Sequence, residues 1–97
     1  MQTHLKEYVR ETKGSRPIGV VVAKKINSDH VRLGFSLCNP KDKFDKVLGE
    51  NIALSRADSD RFNLPESVKY QTLLNERFNS LRRRAANYFK VSEENVY

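Results

Sequence analysis

The chain is short of the residues on which several common kinds of site depend. It has one cysteine, two histidines and no tryptophan in 97 residues. A lone cysteine excludes an internal disulfide, and His4 and His30 lie too far from Cys38 in the sequence to suggest a local zinc site. There is no apolar run of 18 residues and no recognisable signal peptide, which favours a soluble protein of the cytoplasm without membrane partners.

Catalytic motifs are missing as well. The sequence contains no Walker loop, no GxGxxG and no HExxH motif, and no histidine close to Cys38 that would activate its thiol. Asp42, Asp45 and Glu50 would bind a metal only if the fold brought them together. We therefore predict a protein that is not an enzyme, with no catalytic residue, no metal and no cofactor.

Positive charge, by contrast, is plentiful. Eighteen lysines and arginines face twelve aspartates and glutamates, which gives a net charge of +6. The excess lies towards the two ends of the chain, and the middle is close to neutral. A positive surface suits phosphate-bearing partners such as nucleotides or nucleic acid, although charge alone identifies no site.

The hydrophobic pattern predicts one α+β domain over residues 1–97. Leu5, Tyr8 and Val9 share a helical face, which indicates a short helix and a basic turn over residues 1–16. Residues 17–38 predict an antiparallel β-hairpin, because β-branched residues are followed by a strictly alternating segment from Val31 to Leu37. Two strands are marginal alone, so helices or a partner chain must cover their apolar face.

Two helices complete the prediction. The first spans residues 39–57, with Asn39 and Pro40 at its start, a stripe of Phe44, Leu48 and Ile52, and Gly49 at a close contact with a strand. The second spans residues 66–90 and is about 36 Å long at 1.5 Å per residue. So long a helix overhangs a hairpin, which predicts a homo-oligomer. Residues 91–97 are expected to form a frayed tail.

The start of the first of these helices is the best candidate for a phosphate site. Free backbone N–H groups and the positive end of the helix dipole favour an anion there. Asp42 and Asp45 compete for the same donors, and Phe44 is either a core residue or a platform for a stacked base. The candidate ligand-binding residues that surround this point are Ser36, Lys41, Lys43, Phe44 and Lys46.

A nucleic-acid groove is the alternative use of the positive charge. It requires basic residues of the hairpin to line up with the arginine run of the long helix, although part of that run is also explained as a solvated face. The candidate residues are Lys24, Lys25, Arg32, Arg82, Arg83 and Arg84. A third alternative is an inhibitor that binds a host protein through the long helix.

The segment from residue 36 to residue 56 resembles small bacteriophage proteins of largely unassigned function. Their pattern is Ser-x-Cys-x-Pro-x-Asp-x-Phe, followed by x4-Gly-x2-Ile-Ala-x2-Arg. The matching positions here are Ser36, Cys38, Pro40, Asp42, Phe44, Gly49, Ile52, Ala53 and Arg56. The layout is also similar to that of the Thoeris anti-defence sponges of phages.

That second resemblance implies a function. Sponges of this type are oligomers without enzymatic activity that sequester cyclic nucleotide signals of host immunity, using arginines and an aromatic residue. Phe44 and Arg56 are the residues that carry over to this chain. The resemblance thus implies a phage protein in the cytoplasm of an infected cell that binds a host nucleotide signal.

Overall fold

The computed structural model describes residues 3–38, 43–58 and 67–97 and confirms the α+β class. The three strands β1 (His4–Val9), β2 (Gly19–Lys25) and β3 (Val31–Leu37) form one antiparallel sheet in the order β1-β2-β3. Helices α1 (Lys46–Ala57) and α2 (Val68–Phe89) pack on opposite faces of this sheet. A short 3₁₀ turn, Glu93–Asn95, follows α2.

The predicted N-terminal helix is wrong, because this segment is strand β1. It pairs with β2 in a register that sets Leu5 against Ala23 and Val9 against Gly19. Val21 of the central strand is fully buried, and the backbone of β2 needs hydrogen-bonding partners on both of its edges. Hydrogen bonding across the sheet therefore overrides the weak helical periodicity of the segment. The predicted pairing of β2 with β3 is confirmed.

The alternation predicted for β3 divides the core into two layers. One layer lies between the sheet and α2, and includes the edge-to-face contact of Phe35 with Phe78, whose ring centroids are 5.9 Å apart. The other lies between the sheet and α1, and is built from Val20, Val22, Ala53 and Ala57, with Tyr8, Phe44 and Leu54 packed against them. Both faces of the sheet are covered. The apolar face of α2 is therefore buried within its own chain, and the helix does not extend past an uncovered hairpin.

Helix α1 differs from its prediction in both its start and its buried face. It begins at Lys46 with Asp45 as its N-cap, whereas Asn39 and Pro40 lie outside the described residues. The residues buried against the sheet are Gly49, Ala53 and Ala57. The predicted stripe is therefore wrong in part: Leu48 is 57% exposed, and Ile52 and the neighbouring Val47 are exposed as well.

The close approach of α1 to the sheet explains which face is buried. A Cβ atom on Gly34 of β3 would collide with the carbonyl oxygen of Ala53 and come within 2.8 Å of the backbone nitrogen of Ala57. A Cβ on Gly49 would lie 3.2 Å from the hydroxyl of Ser36. Only the small side of the helix fits at this distance, so its larger apolar side chains turn towards solvent. The close contact predicted for Gly49 is confirmed.

The C-terminal tail is ordered, which corrects the expectation of fraying. Tyr97 donates its amide to the carbonyl of Val31 at 3.0 Å, and the amide of Leu33 donates to the carbonyl of Tyr97 at 2.7 Å. Val96 is 2% exposed. The tail is held because it satisfies backbone groups on the outer edge of β3 and buries an apolar side chain. No helix within the described ranges has the length and apolarity to cross a membrane.

We predict that Gly34→Ala lowers the free energy of unfolding by about 2–3 kcal/mol, because the added methyl meets helix backbone that cannot move independently. Gly49→Ala is the matched variant. Its methyl meets the ring of Phe44 and the hydroxyl of Ser36, which are side-chain atoms, and alanine favours the helix by about 1 kcal/mol. Urea denaturation followed by circular dichroism measures both. Equal losses in the two variants would contradict this account of the helix position.

Candidate ligand-binding surface

The six residues predicted to bind a ligand do not form one site. Ser36, Lys43 and Phe44 line a shallow groove between the end of β3 and the start of α1, with a volume of about 230 Å³. Lys46 lies instead over the ring of Tyr8, and Arg56 is near the other end of α1. Lys41 lies outside the described residues.

The polar groups of this groove are already engaged. Ser36 is 4% exposed, and its hydroxyl donates to the carbonyl of Gly49 at 2.8 Å. The carboxylate of Asp45 accepts from the amides of Val47 and Leu48, both at 3.0 Å. The protein's own carboxylate thus occupies the helix N-terminus where an anion was expected, as the N-cap geometry favours. The groove is also smaller than the roughly 300–1,000 Å³ of typical ligand pockets.

Arg56 has a structural partner. Its guanidinium donates to the carbonyl of Phe35 at 3.1 Å and lies 5.7 Å from the centre of the Phe35 ring. This carbonyl belongs to β3, so Arg56 satisfies a backbone acceptor of that strand. Arg56 and Phe44, which the resemblance would place in the same site, therefore have different partners, because Phe44 contacts Tyr8.

The candidate nucleic-acid residues are distributed over both sides of the sheet. Lys24, which pairs with Asp58 at 2.7 Å, and its cross-strand neighbour Arg32 face α1. Lys25 lies 6.0 Å from the ring of Phe89 on the α2 side. The three-arginine run belongs to α2, so the groove that was expected to combine all these residues does not form.

Two of the three arginines in that run are held by their own chain. Arg84 pairs with Glu7 of β1 at 2.9 Å, and Arg82 donates to the carbonyl of Val96 at 3.1 Å. Glu7 also accepts from Arg77 at 3.2 Å, so this carboxylate of β1 forms ion pairs with two guanidinium groups. Arg83 is exposed.

The structure brings together a different set of residues around Tyr8, which the sequence interpretation missed. The side-chain charges of Lys46, Arg10 and Lys6 lie 5.2, 5.7 and 5.8 Å from the centre of the Tyr8 ring. Phe44 meets the same ring edge-to-face, with 6.3 Å between centroids. We call these five residues the Tyr8 cluster. Its cations lie within the range of cation–π attraction, and the Tyr8 ring is half-buried.

A carboxylate fixes one side of the Tyr8 cluster. Glu50 of α1 accepts from His4 at 2.7 Å and from Lys6 at 3.0 Å, and so ties β1 to the helix. The hydrogen bonds from His4 and then from Lys6 hold the pKa of Glu50 below its usual value. The hydrogen bond to Glu50 raises the pKa of Lys6. Lys6 therefore stays charged, but Glu50 partly neutralises its charge. Lys46 and Arg10 are not paired with this carboxylate.

A larger groove adjoins the Tyr8 cluster. It lies between the β1–β2 loop and α2, and its volume is about 690 Å³. We call it the β1–β2 groove. Its lining residues are Tyr8, Val9, Arg10, Glu11, Thr12, Lys13, Gly14, Leu73, Glu76 and Arg77. Tyr8 and Arg10 thus belong to both the groove and the cluster.

The sequence does carry a signal for the Tyr8 cluster. Lys6, Tyr8 and Arg10 follow one another at every second position, which places them on one side of an extended chain. That spacing scatters the same residues around a helix, so the interpretation of residues 1–16 as a helix concealed it. The position of Lys46 next to Tyr8 depends on how α1 packs on the sheet, and no local sequence pattern predicts it.

No family model matches the chain, and searches of curated proteins and of solved structures find no match either. The resemblance to small phage proteins and to anti-defence sponges therefore stays a prediction. Within the described parts of the chain, no three histidine, cysteine or acidic side chains come together as a metal-binding group.

We predict that Glu50→Gln lowers the free energy of unfolding by about 1 kcal/mol near pH 5.5, because the ion pair between β1 and α1 is lost. The folded-state pKa of Glu50 is below the model-compound value of 4.5, so this stabilisation is present above pH 4.5 and is lost as the pH falls through the folded-state pKa. The difference between wild type and variant should therefore shrink as the pH is lowered below 4.5.

Urea denaturation at several pH values measures this difference. Glu94→Gln, at an exposed carboxylate in the 3₁₀ turn, is the control and should give a curve parallel to that of the wild type. A wild-type advantage over Glu50→Gln that grows as the pH falls would contradict the assignment.

Proposed function

We propose that this protein binds a phosphate-containing ligand with an aromatic base at the Tyr8 cluster, without catalysing a reaction on it. The observation that carries the proposal is the convergence of Lys6, Arg10 and Lys46 on the ring of Tyr8. An aromatic platform surrounded by cations matches both parts of a nucleotide, since bases stack on the ring and phosphates attract the cations.

The electrostatics of the chain support the same ligand class. The net charge of +6 favours anions in general, and the cluster concentrates positive groups around a half-buried ring. Glu50 neutralises only part of this charge, because it engages His4 and Lys6 but not Lys46 or Arg10. The remaining positive charge suits a ligand that carries phosphate groups.

A binding role fits the chemistry of the side chains in the cluster. They are cations and aromatic rings, which stabilise and position an anion but do not themselves supply a nucleophile with an adjacent base. His4, the nearby imidazole, is engaged by the carboxylate of Glu50. We therefore propose recognition rather than turnover.

The sharper form of the proposal is sequestration of a nucleotide signal in the cytoplasm of an infected host cell. It rests on the sequence resemblance to phage proteins. Phe44 supports it, because this residue of the shared pattern contacts Tyr8 within the cluster. Arg56 does not support it, since its guanidinium is engaged with Phe35. The alternative of host-protein inhibition through α2 is weaker, because the apolar face of that helix is buried within the chain.

We predict that the wild-type protein binds a fluorescein-labelled adenylate dinucleotide, pApA, and that Tyr8→Ala weakens this binding by about 10- to 100-fold, as expected for the loss of one stacking platform. Tyr8→Phe should retain most of the affinity. Fluorescence anisotropy measures the dissociation constants, and native mass spectrometry shows whether a ligand co-purifies.

The matched control for this experiment is Tyr88→Ala, which removes an exposed tyrosine from α2, on the other side of the sheet. It should bind pApA as the wild type does. Equal affinities of the wild type and Tyr8→Ala, with both variants folded, would overturn the proposed site. Absence of pApA binding, together with absence of a co-purified ligand, would overturn the proposed function.

We also propose that the chain forms a homo-oligomer through the outer face of α1. Val47, Leu48 and Ile52 are 71%, 57% and 37% exposed, which is a concentration of apolar surface on one short helix. No charged residue interrupts this arc, because the intervening positions are Asn51 and Ser55. An uncharged apolar face allows copies of a strongly basic protein to approach each other.

Leu48→Glu should shift the mass measured by sedimentation equilibrium towards that of the monomer, because the face would then bury a charge. Val68→Glu is the matched control, since Val68 of α2 is also exposed, at 75%. A wild-type protein that is monomeric at high concentration would contradict the proposal. So would an oligomer that survives Leu48→Glu unchanged.

A further inference from the structure

The Tyr8 cluster and the β1–β2 groove form one continuous surface. Tyr8 and Arg10 belong to both, and the groove extends from them to Leu73 and Arg77 of α2. Because β1 is an edge strand of the sheet, this surface passes around the edge from the α1 side to the α2 side. It is therefore extended in one direction, unlike a closed pocket.

Basic residues follow this path. Among the described residues, no carboxylate lies within ion-pair distance of Lys46, Arg10 or Lys13. Lys46 belongs to α1, Arg10 directly follows β1, and Lys13 lines the groove next to α2. Lys46 and Arg10 converge on the Tyr8 ring, whereas Lys13 lies further along the groove, so the line of cations continues beyond the Tyr8 cluster.

The β1–β2 loop holds the Arg10 side chain in place before any ligand arrives. The hydroxyl of Ser15 donates to the carbonyl of Thr12 at 2.7 Å, and Arg10 donates from Nε to the carbonyl of Ser15 at 3.0 Å. Gly14 has a φ of +85°, a conformation that glycine adopts without strain. A loop that is already structured loses less conformational entropy on binding.

The acidic residues of the groove only partly cancel this charge. Glu11 is paired with Lys69 at 2.9 Å, and Arg77 is paired with Glu7 at 3.2 Å. Glu76 lines the same groove as Arg10 and Lys13. The lining of the β1–β2 groove thus has three basic residues against two acidic ones, and one of the basic residues, Arg10, is shared with the Tyr8 cluster.

We infer that the ligand of this surface is a single-stranded nucleic acid, whose backbone runs from the Tyr8 cluster around the edge of β1 into the β1–β2 groove. The inference rests on the function proposed above and names its ligand class. Several phosphates match a path of spaced cations, and an unpaired base exposes the face that stacks on Tyr8. A duplex keeps its bases stacked on each other and offers no such face at its sides.

The experiment compares two labelled probes, dT2 and dT8, on the full chain by fluorescence anisotropy at several salt concentrations. We expect dT8 to bind at least 10-fold more tightly than dT2. Its affinity should fall with salt with a log–log slope steeper by about 0.7 for each additional phosphate contacted. Lys13→Gln should weaken dT8 binding by about 3- to 10-fold and reduce that slope by about 0.7, while leaving dT2 unaffected.

The matched control is Lys90→Gln, which removes one exposed positive charge just beyond the end of α2 and should leave both probes unaffected. A protein that binds dT2 and dT8 equally, with no effect of Lys13→Gln, overturns this inference but leaves the nucleotide-binding proposal standing. A protein that binds neither dT2, dT8 nor pApA overturns this inference, and if no ligand co-purifies either, it overturns the proposed function as well. Tighter binding of a duplex of the same length, or loss of dT8 binding in Arg83→Gln but not in Lys13→Gln, also overturns the path described here.

Discussion

The contact between α1 and the sheet is the constraint on which most of this structure depends. Because Gly34 of β3 has no side chain, the backbone of Ala53 and Ala57 packs directly against it. Gly49 of α1 packs in the same way against Ser36 and Phe44. Since no other face of α1 is small enough, this contact sets the rotation of the helix about its own axis. That rotation places Lys46 over Tyr8, brings Glu50 to His4 and Lys6, and turns the larger apolar side chains towards solvent.

The sheet divides the basic residues into two groups with different roles. On the α2 side, Glu7 holds Arg77 and Arg84, and the C-terminal tail holds Arg82, so these guanidinium groups stabilise the packing of the helix on the sheet. On the α1 side, Lys46 and Arg10 surround an aromatic ring without a carboxylate partner among the described residues. The positive charge that can serve a ligand is therefore found at β1 and not along the arginine run of α2.

The two edges of the sheet complete this asymmetry. The edge at β3 is occupied by the chain itself, because Tyr97 pairs with the start of the strand and Arg56 satisfies the carbonyl of Phe35. The edge at β1 instead carries lysine and arginine side chains, which disfavour pairing with another strand and attract anions. Protection of this edge and the proposed recognition of nucleic acid thus use the same residues.

Much of the architecture could be predicted locally, because the alternation of β3, the β2–β3 hairpin and the apolar face of α2 follow from the period of the hydrophobic residues. The strand at residues 4–9, the ordered tail and the buried face of α1 could not, since each depends on backbone groups or small residues far away in the sequence. The candidate site shows the same division. Sequence alone determined the charge, the chemistry of the available side chains and the every-second-residue spacing of Lys6, Tyr8 and Arg10. Only the tertiary structure decided that these three residues lie next to Lys46 and Phe44. Their proximity depends on how closely the glycine and alanine face of α1 approaches the sheet.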